Sequence, residues 1–228
     1  MTPPESSLMK TAPAPLPDPD LLESSLSALP PGATVLDYGC YGWSAAQLGL
    51  HLGRDDLDHL GVDLYEEPPG RPPSARYLRL SHSGAALPRE TADLVIASHV
   101  LEHCADAVGV FGSLIAAVRT GGAVYVEAPS ELTALQPSDP DVEGHAFTSF
   151  WDDPTHVRPW SPAALYRLGL SFGARPERCG HAMRGGIHCS LALIRRIDPE
   201  APRYRYVSLA GVPRGVEAAL AHVGRRSA

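Results

Sequence analysis

Cysteine is scarce in this chain. Cys40, Cys104, Cys179 and Cys189 are all there are, and no two fall at C-x-x-C spacing. That excludes a disulfide framework and a cysteine-rich zinc site and leaves reduced thiols as the expectation. Positive charge is also short: 19 Lys and Arg face 26 Asp and Glu, for a net charge of -7. A phosphate backbone needs a basic footprint, so nucleic acid is not the expected partner, although arginines gather between Arg195 and Arg205 and at Arg225 and Arg226. No apolar run is long enough to cross a bilayer, and no membrane partner is expected. Met1-Thr-Pro-Pro-Glu-Ser-Ser7 has neither the basic start nor the apolar stretch of a secretory signal, and a cytoplasmic location is expected.

What remains is a globular composition. At 228 residues the chain suits one domain, and a domain of this size buries roughly 70–75% of its unfolded surface. Six prolines crowd residues 1–19 among small residues, which predicts a disordered, Pro-rich N-terminus and order beginning near Asp20. Leu21, Leu22, Leu26 and Leu29 then fit a short amphipathic helix capped by Asp20 and ended by Pro30-Pro31-Gly32. No internal repeat is evident.

Strand and helix signals alternate from there. Strands are expected at Thr34 to Leu36, His59 to Asp63, Arg76 to Leu80, Asp93 to Ala97, Ala123 to Ala128 and, late in the chain, Ile187 to Ile197. Helices are expected from Trp43 to Leu52 and from about Glu102 to Arg119, the second stopped by Gly121-Gly122, and a third behind Ser161-Pro162. The fourth strand is a continuous apolar run, as a strand buried on both faces requires. The alternation implies an α/β fold with parallel strands joined by right-handed crossovers, so ligands should lie beyond the carboxyl ends of the strands. Residues 129–160 form a long connection rich in Pro, Asp and Ser, the natural candidate for an acceptor-side loop or lid.

Four segments carry the chemistry: Thr34-Val-Leu-Asp-Tyr-Gly-Cys-Tyr-Gly-Trp43, Gly61-Val-Asp63, Ala92-Asp-Leu-Val-Ile-Ala-Ser-His-Val-Leu-Glu-His103 and Gly121-Gly-Ala-Val-Tyr-Val-Glu-Ala-Pro129. In this order they resemble class I S-adenosylmethionine-dependent methyltransferases. The resemblance implies a doubly wound, mostly parallel seven-stranded sheet of Rossmann-like type over residues 20–228. It also implies a cofactor site at the first turn. Asp37 and Gly39 match the family's D-x-G-x-G-x-G turn, while Tyr41 and Trp43 stand where further glycines are usual and Gly42 falls between them. Asp63 matches the acid that accepts from both ribose hydroxyls. Ser81, with His82 beside it, replaces the acid usual near the adenine. With Cys40, Leu64 and Ser98, these complete the expected cofactor set. A nicotinamide-binding reading fits worse, because Gly39-Cys-Tyr-Gly42 does not supply G-x-G-x-x-G.

His99-Val-Leu-Glu-His103 is the second informative feature. Were a helix to start directly after Ser98, His99, Glu102 and His103 would share one face, and two imidazoles with a carboxylate are effective ligands for divalent transition metals. Small-RNA 2′-O-methyltransferases and ubiquinone-pathway O-methyltransferases resemble this stretch with E-x-x-E-H, which holds a divalent cation, and His156 in Thr155-His-Val-Arg-Pro-Trp-Ser161 offers a further ligand. With His99 for the first glutamate, the resemblance implies Mn, Fe, Co or Zn more than Mg. A metal-free base drawn from His99, His103 or His156, and a purely structural role for all of them, stay open beside it. His145, Asp152, Asp153, Phe147, Phe150, Trp151 and Trp160 are secondary candidates for the same pocket.

The expected activity is methyl transfer from S-adenosylmethionine to a small-molecule acceptor, at an oxygen. The alternatives are a non-catalytic scaffold with a degenerate methyltransferase fold, suggested by Tyr41, Trp43 and Ser81, and a metal-dependent RNA O-methyltransferase. Oligomeric state is not encoded in any of these features.

Overall fold

A computed structural model describes residues 21–82, 85–138 and 149–198. Its centre is a seven-stranded sheet: β1 (Thr34–Tyr38), β2 (Asp58–Asp63), β3 (Arg76–Arg79), β4 (Ala92–Ser98), β5 (Val118–Pro129), β6 (Arg175–Arg184) and β7 (Ile187–Arg195). The spatial order is β3-β2-β1-β4-β5-β7-β6, with β7 antiparallel to both of its neighbours. Four α-helices flank it among the described residues: α1 (Leu21–Ser27), α2 (Ser44–His51), α3 (Ala107–Ala117) and α4 (Pro162–Ser171).

Period-two alternation assigns the faces. Along β4, Leu94 and Ile96 pack with Leu21 and Leu26 of α1 and Ala45 of α2, while Val95 and Ala97 join Phe111 and Leu114 of α3 and Leu165 and Leu168 of α4. The sheet is therefore buried on both sides, which is why β4 reads as an unbroken apolar run. Successive strands leave β1 in opposite directions, β2 to one side and β4 to the other, and the crevice between their carboxyl ends is where such sheets take ligands.

Two expectations about helices are corrected. No helix begins at Ser98, and none runs from Glu102 to Arg119. His99 takes a left-handed φ of 53°, and its backbone N–H donates to the Glu127 carbonyl at 2.8 Å, so the chain leaves β4 in a tight turn. A single 3₁₀ turn, Leu101–His103, follows. α3 starts only where the Asp106 side chain accepts from Gly109 N at 2.9 Å, a side-chain N-cap. Gly121 and Gly122 do not stop that helix either, since they lie inside β5. Gly122 is needed there for close approach, because a Cβ would sit 2.6 Å from the Asp93 carbonyl oxygen. Strand β6 was not among the expected strands: it lies at the sheet edge, contains Pro176, and is mostly half-exposed, so no alternation marks it. The proposed disorder of residues 1–19, the Asp20 cap, and everything beyond Asp198 lie outside the described residues, as do positions 139–148 of the long connection.

Candidate active site

The residues expected around the cofactor lie mostly at the ends of β1 and β2. Asp37 is buried, and burial together with the neighbouring Asp63 pushes its carboxyl pKa up to about 7. Gly39 and Gly42 have φ of 81° and 76°, as the turn requires of residues without a Cβ. Gly39 also lies tight against the β4 turn, since a Cβ there would meet Val100 Cγ2 at 2.5 Å, whereas the space around Gly42 is open.

The two bulky residues of this turn go different ways. Tyr41 is exposed, but Trp43 is 1% exposed despite a left-handed φ of 58°. Its indole packs with Cys40, Ala46 and Ala75, covers Gly61 and donates Nε1–H to the Pro68 carbonyl at 3.1 Å. Its bulk therefore lies under the turn and not across it. Cys40 is part of that packing, its thiol pKa pushed up to about 12 by burial and by Asp37 and Asp63. Asp63 holds its own turn, with Oδ1 accepting from Leu64 N at 2.6 Å. Leu64 and Ser81 are exposed at the ends of β2 and β3, and Ser98 is half-buried at the end of β4.

The residues expected on the acceptor side gather around the turn after β4 and the segment Ser149 to His156. The expected quartet His99, Glu102, His103 and His156 does not converge on one point. Glu102, His103 and His156 bring ligand atoms within 4.8 Å of one another, while His99 joins Glu127 and Cys189 in a separate group of the same span. Glu102 links the two, since its Oε1 lies 3.3 Å from His99 Nδ1. On its other edge, His99 Nε2 is 3.2 Å from Glu127 Oε1. Burial opposes a charge on His99, but its contacts with Cys189, Glu102 and Glu127 outweigh it and push the pKa up to about 12. His99 is thus held as an imidazolium between two carboxylates.

Glu102 is fully buried and neither oxygen meets hydrogen-bond geometry, the His99 contact being an ion pair without alignment for a bond. A buried carboxylate in that condition calls for a further partner. The imidazoles of His103 and His156 stand 4.7 Å apart, centroid to centroid, and His156 stacks on Phe150 at 4.4 Å. A cavity of about 190 Å³, lined by His99, Glu102, His103, Phe150, His156 and Ile187 among others, opens beside them.

The segment is tied down at Val157, whose N–H donates to the Glu102 carbonyl at 2.7 Å, and at Trp160, which bridges to Ser130. Among the secondary candidates, Asp152 serves in a capping box with Ser149, and Asp153 accepts from Thr155. Trp160 is buried, while Trp151 is largely exposed. His145 and Phe147 lie outside the described residues. Sequence reasoning missed Glu127, Cys189 and Thr155. Of these, Glu127 alone carried a local signal, an acid interrupting the buried run of β5.

A methyltransferase-domain family profile matches residues 16–177, most of the chain. Nothing among curated proteins matches it in sequence. Solved structures share the fold. An S-adenosylmethionine-dependent methyltransferase from Mesorhizobium loti superposes with a TM-score of 0.56 at 18% identity, over 78% of this chain and 98% of its own. The Burkholderia thailandensis 1,6-didemethyltoxoflavin-N1-methyltransferase, bound to 1,6-didemethyltoxoflavin and S-adenosylhomocysteine, gives 0.55 at 17% identity over 79% and 76%. The cyclase SpnF gives 0.58 at 14% identity over 79% and 81%. Strand order and family match agree: the chain belongs to the class I S-adenosylmethionine-dependent methyltransferases. It is an enzyme of that class, with S-adenosylmethionine as cofactor.

Proposed function

We propose that this enzyme transfers the S-adenosylmethionine methyl group to an oxygen of a small-molecule acceptor, and that Glu102, His103 and His156 face the reacting hydroxyl. The convergence of one buried carboxylate and two imidazoles beside a small cavity at the strand ends carries the reading. Asp37, Gly39, Cys40, Gly42, Asp63, Leu64, Ser81 and Ser98 surround the cofactor, with Asp63 on the ribose diol, where two acceptor oxygens on one short side chain suit two hydroxyls.

Transfer is an in-line displacement at the sulfonium methyl, with the acceptor oxygen held at near-attack distance. Sulfonium is already a good leaving group, so the protein must align the acceptor and deal with its proton. His103 and His156 suit that task. His99 does not, because both of its nitrogens are engaged by carboxylates. It serves as the fixed cation that keeps Glu102 and Glu127 together in a buried site.

The Glu102, His103 and His156 donors also fit a divalent ion of the Mn, Fe, Co or Zn type: one hard oxygen, two borderline nitrogens, and a carboxylate lacking hydrogen bonds. Bound there, such an ion would supply Lewis acidity that lowers the hydroxyl pKa. The small cavity and the net charge of -7 favour a small acceptor over RNA.

Calorimetry tests the whole reading. S-adenosylmethionine is titrated into metal-stripped protein and again after Mn²⁺ is added, with Mn²⁺ alone as a third titration. Cofactor binding in both, with Mn²⁺ bound by the wild type and lost in His156→Asn, supports metal-assisted transfer. Cofactor binding without Mn²⁺ binding leaves the histidine-base route, and no cofactor binding overturns the proposal in favour of a scaffold.

A further inference from the structure

We infer that Thr155 and Asp153 are positioning residues that fix the tautomer of His103, keeping its Nε2 bare toward the acceptor pocket. This rests on the reading above that His103 faces the acceptor, and it assigns work to two residues outside the cluster.

The argument is one of hydrogen-bond direction. Thr155 Oγ1 lies 2.6 Å from Asp153 Oδ1, and Thr155 N–H donates to the same oxygen at 2.7 Å. An ionised carboxylate can only accept, so the single hydroxyl proton of Thr155 points to Asp153. What Thr155 Oγ1 offers elsewhere is a lone pair. His103 Nδ1 stands 2.8 Å from that oxygen, so Nδ1 is the nitrogen that carries the proton. A neutral imidazole has one N–H, and Nε2 is therefore unprotonated.

His156 is set in the same sense by a different partner. Its Nδ1 lies 2.7 Å from the carbonyl oxygen of Phe150, which also only accepts, so Nδ1 carries the proton; its Nε2 faces Asp153 Oδ2 at 3.8 Å, beyond hydrogen-bond distance, and is bare in the neutral ring. Two different Nδ1 acceptors, the Thr155 hydroxyl held by Asp153 and a main-chain carbonyl, thus favour one tautomer on two rings whose ligand atoms lie within 4.8 Å of Glu102's. A histidine that only braces a turn has no need of a bare Nε2. A base or a ligand requires it.

In the base role the step balances. The acceptor O–H proton passes to His103 Nε2, its electron pair forms the new O–CH₃ bond, and the S–CH₃ pair returns to sulfur, giving neutral S-adenosylhomocysteine. The imidazolium then keeps its Nδ1–H bond to Thr155, with the Asp153 carboxylate one hydroxyl away.

The test reads the tautomer directly. Ring ¹⁵N spectra are recorded near pH 8.5, about two units above the usual imidazole pKa of about 6.5, with His103→Asn identifying the His103 signals. We expect the wild type to show a protonated Nδ1 and a bare Nε2. Thr155→Val should shift that pattern toward Nε2–H, Thr155→Ser should restore it, and Asp153→Asn, whose amide can donate to the hydroxyl, should disturb it like the valine. In activity, Thr155→Val should lose about 10- to 100-fold in kcat, with cofactor affinity held. A protonated Nε2 in the wild type, or an unchanged spectrum in Thr155→Val, overturns the inference. Failure of the wild type to methylate any acceptor, with the expected spectra in hand, overturns the proposed function instead and leaves the tautomer assignment standing.

Discussion

Glu127 grips His99 twice. Its carbonyl accepts from His99 N at 2.8 Å, and its Oε1 lies 3.2 Å from His99 Nε2. His99 directly follows β4 and Glu127 lies two residues before the end of the parallel strand β5, with Ser98 opposite Glu127 in register, so the grip crosses from β4 to β5. Tyr125, two residues earlier on the same face of β5, donates its phenol to Glu127 Oε2 at 2.5 Å, and Arg184 Nε lies 3.5 Å from the same oxygen. These donors and the His99 cation overcome burial and hold the Glu127 carboxyl below its ordinary range. Sequence-distant residues thereby define one charged platform.

Removing the cation should expose its worth. His99→Asn suits the test because Asn tolerates the left-handed backbone that His99 adopts. With the imidazolium gone, the buried Glu102 and Glu127 lose the cation they share, and stability should fall by about 1–3 kcal/mol. Urea denaturation should show a lower midpoint with an unchanged slope. A variant as stable as the wild type would mean that His99 is a bystander.

The turn at Gly39 predicts a contrast between two alanine substitutions. Gly39→Ala places a Cβ against Val100 Cγ2 at 2.5 Å, on backbone with φ of 81°, whereas Gly42→Ala meets nothing within 4 Å and bears only its φ of 76°. Gly42→Ala should cost about 1 kcal/mol for the left-handed backbone, and Gly39→Ala more. Adding Val100→Ala should recover part of the Gly39→Ala loss and none of the Gly42→Ala loss. Equal costs and no rescue in thermal melts would remove the clash from the account.

Asp37 makes a pH prediction. Its folded-state pKa of about 7 exceeds the unfolded value of about 3.9, so between these the folded protein binds more protons than the unfolded chain. Stability contributed by this group is present at low pH and is lost as pH rises from about 4 to 7. Cationic cofactor placed beside Asp37 favours the carboxylate, so binding should release a proton below about pH 7 and tighten as pH rises through it. Titrations at pH 6 in buffers of different ionisation enthalpy measure that release, and Asp37→Asn should abolish it.

The fold was legible because its signals are local. β1 and β4 are largely apolar runs ending in turns, and Asp37, Gly39 and Asp63 fall at or beside the strand ends. The acceptor site was legible only as a list of residue types. Helical spacing brought His99 to Glu102 by the wrong route, since a positive φ at His99 depends on the Glu127 carbonyl across the sheet and leaves no trace in the pattern. Cys189 reaches His99 by antiparallel pairing of β7 with β5, which sets Cys189 opposite Pro129. Thr155 reaches His103 across a loop. Neither pairing has a spacing to read.

The final prediction separates the two halves of the site. On the proposed reading Asp63 serves the cofactor and His103 the acceptor; the two are tied to different strands and share no hydrogen-bond partner among the described residues. Asp63→Ala should weaken S-adenosylmethionine binding by about 1.5–3 kcal/mol, the worth of a hydrogen bond to a charged group, or roughly 10- to 150-fold in Kd. His103→Ala should leave that Kd within about twofold and abolish methyl transfer, as loss of a base or ligand requires. Calorimetry gives the first quantity and methyl transfer at saturating cofactor the second. Were both variants to weaken cofactor binding equally, His103 would belong to the cofactor pocket and the acceptor would have to enter elsewhere.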